Sequence, residues 1–456
     1  MEEMVEQIEL LLEQDDKNQL QEYLNNLNIS DVESLIDELP EHGAKFIETL
    51  NINRAVNVFR ILDFPTQERI IKKLPGNKIA ELINELPPDD RTSLFAELHG
   101  DAVKTLILHL SPADRKEALS LLGYEEDSVG RLMTPDYVAV RKSWDVNRVL
   151  SHIRRYGKNS ETIDVIYVID SGGVLLDDIR IRDILLVDPE TKVSELMDGR
   201  SISLSANDPQ EEAINVFRMN NRTALPVVDA ENILLGIVTV DDILWIANEE
   251  YTEDIQKIGG TEALDEPYLD INLFRLVKKR VSWLIVLFLG EMLTATAMGH
   301  YEHAIGEAVV LALFVPLIIS SGGNSGSQAS TLIIQAMALG EVTLSDWWRV
   351  MRREILSGLL LGATLGIIGF LRIFVWTFFS NIYGNDWMTV AGIVSCALVG
   401  VVLWGSLAGS MLPLILKKLG ADPATSSAPF VATLVDVTGL IIYFSIAVLF
   451  MPGINK

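Results

Sequence analysis

Five long apolar stretches close the sequence, and they constrain this chain more than any other feature. They run roughly over 281–299, 308–339, 355–379, 388–416 and 429–450 of 456 residues. A helix needs about 20 apolar residues to cross a bilayer, and each stretch reaches that length. The second carries "SSGGNSGSQAS" and the fourth carries Gly405, Gly409 and Pro413. Both are expected to be broken or kinked, which backbone tolerates where it lines a cavity or packs on protein. The fifth carries a carboxylate, Asp436.

The loops set an orientation. Lys278, Lys279 and Arg280 precede the first stretch, Arg349, Arg352 and Arg353 lie between the second and third, and Lys417 and Lys418 between the fourth and fifth. The loops "GHYEHAIGE" and "SNIYGND" hold no Lys or Arg. The positive-inside rule then places the N-terminus in the cytoplasm and the C-terminus outside, in a multi-pass protein of the plasma or inner membrane. Charge is segregated. Residues 271–456 hold 11 Lys/Arg and 9 Asp/Glu, and residues 1–270 hold 26 and 54, a net −28. Such an acidic half argues against nucleic acid. It suits cations, although acidity also serves plain solubility. Cys396 is the single cysteine, so no intrachain disulfide forms, and "MEEMVEQIELLLEQ" has no signal-peptide pattern.

Charges inside spans are rare and tend to face a bundle interior or a watery path. Ala432, Thr433 and Gly439 lie at i−4, i−3 and i+3 from Asp436, a small and slightly polar face. Asp436 therefore reads either as a protonated side chain bonded to another helix or as a cation site. In the second stretch, Asn324, Ser325, Ser327 and Gln328 offer oxygens to a hard cation, while the same small residues suit close helix packing. Glu291 and Glu307, near apparent span ends, are further candidates to line a pore. No His or Cys lies near Asp436, which speaks against soft ions. An intramembrane hydrolase lacks both a second helical Asp and a His partner, so no enzyme is expected. A pure membrane-anchored sensor would not need a polar second span.

The acidic half holds two repeats. Prolines at 40, 65, 87–88 and 112 recur about every 24 residues, with a half-step at Pro75, around short amphipathic helical patterns. Proline suits a first helical turn, so stacked short helices, a small solenoid, are expected. Asp89 and Asp90 open one of them, where helix-end charge is the favoured role. A strand–helix–strand–strand–helix unit then follows twice, from Leu132 and from Leu196. It resembles a tandem CBS pair, a regulatory module that often binds adenine nucleotides. In "GIVTVDD", Gly236, Thr239 and Asp242 resemble that family's ribose and phosphate contacts. The first copy has Asp177 and Arg180 at the corresponding places, so at most one nucleotide site is expected. The stretch to the first span reads as a helix lying against the membrane half, and Glu253, Asp254 and Asp242 form an oxygen set suited to a divalent ion.

"GRLMTPDYVAVR", the CBS pair, "TEDIQKIGG", "FVPLIISSGGNSGSQASTLIIQAMALGE" and "PFVATLVDVTGL" together cover nearly the whole chain. The chain resembles the MgtE family of bacterial magnesium channels. The resemblance implies a helical N-domain over 1–130, a CBS pair over 131–247, a connecting (plug) helix over 248–277 and a five-helix pore domain over 278–456. It implies a homodimer in the lipid bilayer, with a pore lined by the second and fifth spans, and no nucleic-acid partner. Asp436 would hold a hydrated Mg²⁺, with Asn324, Gln328, Ala432, Thr433 and Gly439 lining the path. Asp89, Asp242, Glu253, Asp254, Asp422 and Glu211 would bind regulatory Mg²⁺, and Ser93 and Asn221 stand where the family pattern has acids. Thr239 and Asp242 would bind ATP or another adenine nucleotide. The expected function is a Mg²⁺-selective channel gated by cytosolic Mg²⁺; the alternative is transport of another divalent cation such as Co²⁺ or Mn²⁺.

Overall fold

The computed structural model describes residues 2–450 apart from 15, 99, 265–267, 270, 303–308, 381–382 and 384–385. The chain divides into two compact units between Asn248 and Glu249.

The first unit opens with ten short helices between Glu2 and Leu121, among the described residues. Each is too short to be stable alone, so tertiary packing must hold it. The helix Ile52–Arg60 packs on Ile29–Glu38 and on Gly76–Glu85, the helices two before and two after it. Leu24, Leu35, Phe46, Phe59, Ile70 and Leu82 form a continuous buried row along the stack. The 24-residue period has a physical basis at its arginines. Arg91 donates to the carbonyls of Ile83 (3.0 Å) and Leu86 (2.8 Å), and Arg115 donates to Ile107 (3.0 Å) and Leu110 (3.4 Å). Each guanidinium thus satisfies the orphan carbonyls that end the preceding helix. Pro65, Pro88 and Pro112 sit in first turns as expected; Pro75 and Pro87 are instead N-caps, and Pro40 lies in a turn.

Two α/β copies complete this unit. In each, a two-residue strand (Ala139–Val140; Leu204–Ser205) pairs parallel to a buried central strand (Val165–Ile169; Ala224–Val228). The central strand pairs antiparallel to a third (Leu175–Arg180; Leu234–Thr239). The registers coincide. Asp177 lies opposite Val168 as Gly236 lies opposite Val227, and Arg180 lies opposite Val165 as Thr239 lies opposite Ala224. Val165, Tyr167, Ala224 and Ile237 form a shared core between the copies.

The second copy ends in the helix Val240–Ile258. A single helix over 248–277 was expected, but Gly259 and Gly260 stop it. Gly260 adopts φ +76°, a left-handed C-terminal conformation, and a side chain there would meet Trp283 at 2.9 Å. Helix resumes at Leu273, already part of the first span.

Among the described residues, five helices are long and apolar enough to cross a membrane: Leu273–His300, Val309–Ala338, Leu344–Trp376, Trp387–Lys418 and Ala428–Phe450. The expected break in the second is not at its glycines. The chain turns at Leu313–Phe314, and Val315–Ala338 runs as continuous helix through "SSGGNSGSQAS". In hydrocarbon, backbone groups have no water to turn to, so the helix is retained. The glycines act in packing instead. A methyl group at Gly405 would lie 2.3 Å from the Gly322 carbonyl oxygen, and one at Gly409 2.0 Å from that of Gly326. Two Gly-x-x-x-Gly faces therefore touch backbone to backbone. Ser325 and Ser406 share a buried hydrogen bond of 2.7 Å in the same seam. Pro413 lies inside an unbroken fourth helix. The first span packs on the fifth and buries no residue in the single chain.

Candidate cation sites

Asp436 lies mid-way along the fifth span and is half-buried. Three spans meet around it. A methyl group at Gly323 of the second span would lie 3.8 Å from Asp436 Oδ1, and one at Gly290 of the first span 2.8 Å from the Thr433 methyl. Glu291 brings its carboxyl within hydrogen-bonding reach of Asp436, so it stands well inside the first span and not at its end. Glu307 lies outside the described residues. Ser325 and Ser327 are committed to packing, to Ser406 and to the Ala428 carbonyl (3.0 Å), whereas Asn324 and Gln328 are exposed on one helical face. Ala432 and Thr433 are half-buried. Gly439 turns to the seam against Val401 and Ile319, so backbone is all it can offer a path.

A second group of carboxylates lies in the first unit. Asp89 and Asp90 occupy the first turn of Pro88–Glu97, but they are not caps: that helix has Pro87 at its N-cap and no side-chain capping bond. Asp89 is 4% exposed, and neither of its oxygens has a hydrogen-bond partner among the described residues. An orphaned buried carboxylate is costly, and such groups normally neutralise or acquire a cation. Burial, then the neighbouring Asp242 and Asp90, pushes the Asp89 carboxyl well above the usual range. Burial raises Asp90 to about 7 against the pull of Arg60. Burial raises Asp242 to about 6, while the Thr239 hydroxyl, donating at 2.6 Å, opposes the shift. Arg60 lies among them, with Nε 2.5 Å from Asp90 and a terminal nitrogen 3.2 Å from Glu161. The oxygen-only set around Asp89 and Asp242 suits a hard divalent ion. Among the described residues, however, no three His, Cys, Asp or Glu side chains are gathered to hold a metal in this conformation.

Asp422 caps the turn Pro423–Thr425 and pairs with Lys257 at 2.7 Å; Lys257 also pairs with Glu253, one helical turn earlier. Burial works against the Lys257 charge, but Asp422 and Glu253 outweigh it and hold the ammonium more basic than usual. Asp254 shares the helix Val240–Ile258. Glu211 is exposed in the first turn of Gln210–Asn220, whose end Asn221 caps with φ 48°, a conformation asparagine tolerates better than most residues. Ser93 is exposed.

Family models match the chain in three blocks: an MgtE intracellular N domain over 27–127, CBS domains over 129–190 and 193–248, and the MgtE divalent cation transporter domain over 315–446. The magnesium transporter MgtE of Thermus thermophilus is 36% identical over 97% of this chain and 97% of its own. The chain belongs to the MgtE family. The Bacillus subtilis magnesium transporter MgtE is 28% identical over 99% of this chain and 98% of its own. MgtE proteins form a family of membrane transporters, not of enzymes. The soluble part is similar to a solved MgtE cytosolic domain in complex with ATP, with 35% identity, TM-score 0.52, and coverage of 53% of this chain and 99% of that one. A soluble part of a magnesium transporter matches at 25% identity and TM-score 0.51, covering 55% and 99%. The CBS assignment thus stands. In the first copy Asp177 is buried and accepts from the Asp178 and Gly199 amides, both at 2.9 Å, a structural role. Sequence reasoning missed Arg60, Glu161 and Lys257. Only Lys257 had a signal, its i,i+4 spacing from Glu253.

Proposed function

We propose that this chain is a Mg²⁺-selective channel, a homodimer whose pore is lined by the second and fifth spans and whose opening is controlled by cytosolic Mg²⁺. The observation that carries this reading is Asp436, a carboxylate in the middle of a membrane span, where three helices meet in a chain of the MgtE family. Mg²⁺ dehydrates reluctantly and keeps several waters. One Asp436 from each of two copies would hold a hydrated ion by hydrogen bonds across the axis, with Asn324, Gln328, Ala432 and Thr433 along the path. The exposed first span offers surface to lipid and to a second copy. The soluble half faces the cytoplasm, and the C-terminus faces outward, as the basic loops favour.

Regulatory Mg²⁺ would bind at Asp89 and Asp242, at Glu253 and Asp254 of the linker, and at Asp422 ahead of the fifth span, with Glu211 as a further surface ligand. The orphaned oxygens of Asp89 fit such an ion. An adenine nucleotide would sit at Thr239 and Asp242, in keeping with the ATP complex of the similar cytosolic domain. Asp242 is then shared between two ligands. Reconstituted vesicles test the reading. Wild-type protein should take up Mg²⁺ in preference to Mn²⁺ and Co²⁺, and Asp436→Ala should lose this while still assembling. Equal uptake of all three ions would favour the broader divalent transporter. Unchanged Mg²⁺ uptake and selectivity in Asp436→Ala would remove Asp436 from the pore.

A further inference from the structure

We propose that Arg60 is a resident cation of the acidic cluster in the first unit: its guanidinium latches the helical stack to the first CBS copy and takes one of the positive places that divalent ions would otherwise fill. Arg60 ends the helix Ile52–Arg60, and Glu161 lies 101 residues later, just ahead of the strand Val165–Ile169. The guanidinium reaches Asp90 at 2.5 Å and Glu161 at 3.2 Å. All three side chains are less than a quarter exposed, so salt screens this bridge less than a surface pair. Arg suits the role because its planar fork reaches two carboxylates at once and stays charged when buried.

The cluster then divides by partner. Arg60 forms an ion pair with Asp90 and an ion pair with a hydrogen bond to Glu161. Asp89 has no hydrogen-bond partner among the described residues, and Asp242 accepts from the Thr239 hydroxyl. One guanidinium cannot neutralise four neighbouring carboxylates, and the unmatched pair, Asp89 and Asp242, is the part that still calls for a cation. The latch therefore sets a floor. Without divalent ions, the helical stack stays partly docked on the CBS copy through Arg60, and ions at Asp89 and Asp242 complete the docking. This rests on the proposed regulatory role of Mg²⁺ at those two residues.

Chymotrypsin digestion of the full-length protein in lipid vesicles, in EDTA and in saturating Mg²⁺, tests it. Arg60→Gln should speed cleavage of the helical stack in EDTA by about fivefold, the size expected when a half-buried ion pair is lost. Saturating Mg²⁺ should bring the rate back near wild type, so the ratio of the two rates rises. Glu161→Gln, which alters only the CBS arm, should change in the same direction by less, and Arg60→Lys should fall between. Rates in EDTA within twofold of wild type for both Gln variants overturn the proposal. So does fast cleavage of Arg60→Gln that Mg²⁺ does not slow, which would make Arg60 a residue of the fold and not a latch. If the wild-type rate itself ignores Mg²⁺, the regulatory reading fails, while the EDTA comparison still decides Arg60.

Discussion

Asp89 and Asp90 are adjacent in the sequence and were legible there only as charges favourable to a helix start. That reading missed burial, because nothing local shows that Asp242, more than 150 residues later, and Glu161 close over them. Asp436 was legible for the opposite reason: a carboxylate inside an apolar run is anomalous wherever the helices pack. The buried cluster has a pH consequence. Asp90 and Asp242 titrate near 7 and 6 in the folded chain, above the ordinary value near 3.8. The folded state therefore binds these protons more tightly than the unfolded state, and stability falls as pH rises through that window. Without divalent ions, lowering the pH from 8 to 6 should stabilise the first unit, with a contribution from Asp90 of about 1 kcal/mol. Thermal melts in EDTA should show the rise, Asp90→Asn should reduce it by the Asp90 share, and saturating Mg²⁺ should suppress it by favouring the charged form. A transition that moves the other way on acidification would contradict the buried cluster.

At the scale of the element, all five spans were legible, because length and hydropathy are enough to mark a membrane helix, but the first and third begin well before their apolar stretches, at Leu273 and Leu344. What failed was the reading of glycine. In water, a run such as "SSGGNSGSQAS" weakens a helix; in a bilayer it opens a face on which another helix can lie. The seam formed by Gly322 and Gly326 against Gly405 and Gly409 is the result. The connecting helix failed for a related reason, since its stop depends on Gly260 adopting a left-handed conformation. The seam predicts a contrast within one helix. Gly409→Ala forces a methyl group against the Gly326 carbonyl and should destabilise the membrane unit by about 1–3 kcal/mol. Gly392→Ala, where no atom lies within 4 Å, should be neutral or slightly stabilising. Melting of the purified protein in detergent measures both, and equal shifts would mean the seam is not tightly packed.

For the whole molecule, the governing quantity is the −28 charge carried by residues 1–270. Monovalent salt screens over about 8 Å at physiological strength, too diffuse to bridge one carboxylate to the next. On the proposed reading the cluster around Asp89 takes a cation at a particular place, and Glu253 of the linker and Asp422 ahead of the fifth span, held together by Lys257, show the pattern on a small scale. Divalent ions can close the chain only if they bind the closed form more tightly than the open one. Millimolar Mg²⁺ should therefore protect the helical stack and residues 245–270 from proteolysis, and KCl at equal ionic strength should not. Glu253→Ala with Asp254→Ala removes two linker carboxylates and leaves Lys257 with Asp422 alone. That double variant should lose most of the Mg²⁺-dependent protection of the linker and keep conducting when cytosolic Mg²⁺ is high. Its current is the decisive measurement: full inhibition by cytosolic Mg²⁺ would make the two linker acids a solvated face and move control of the pore to the cluster around Asp89 and Asp242.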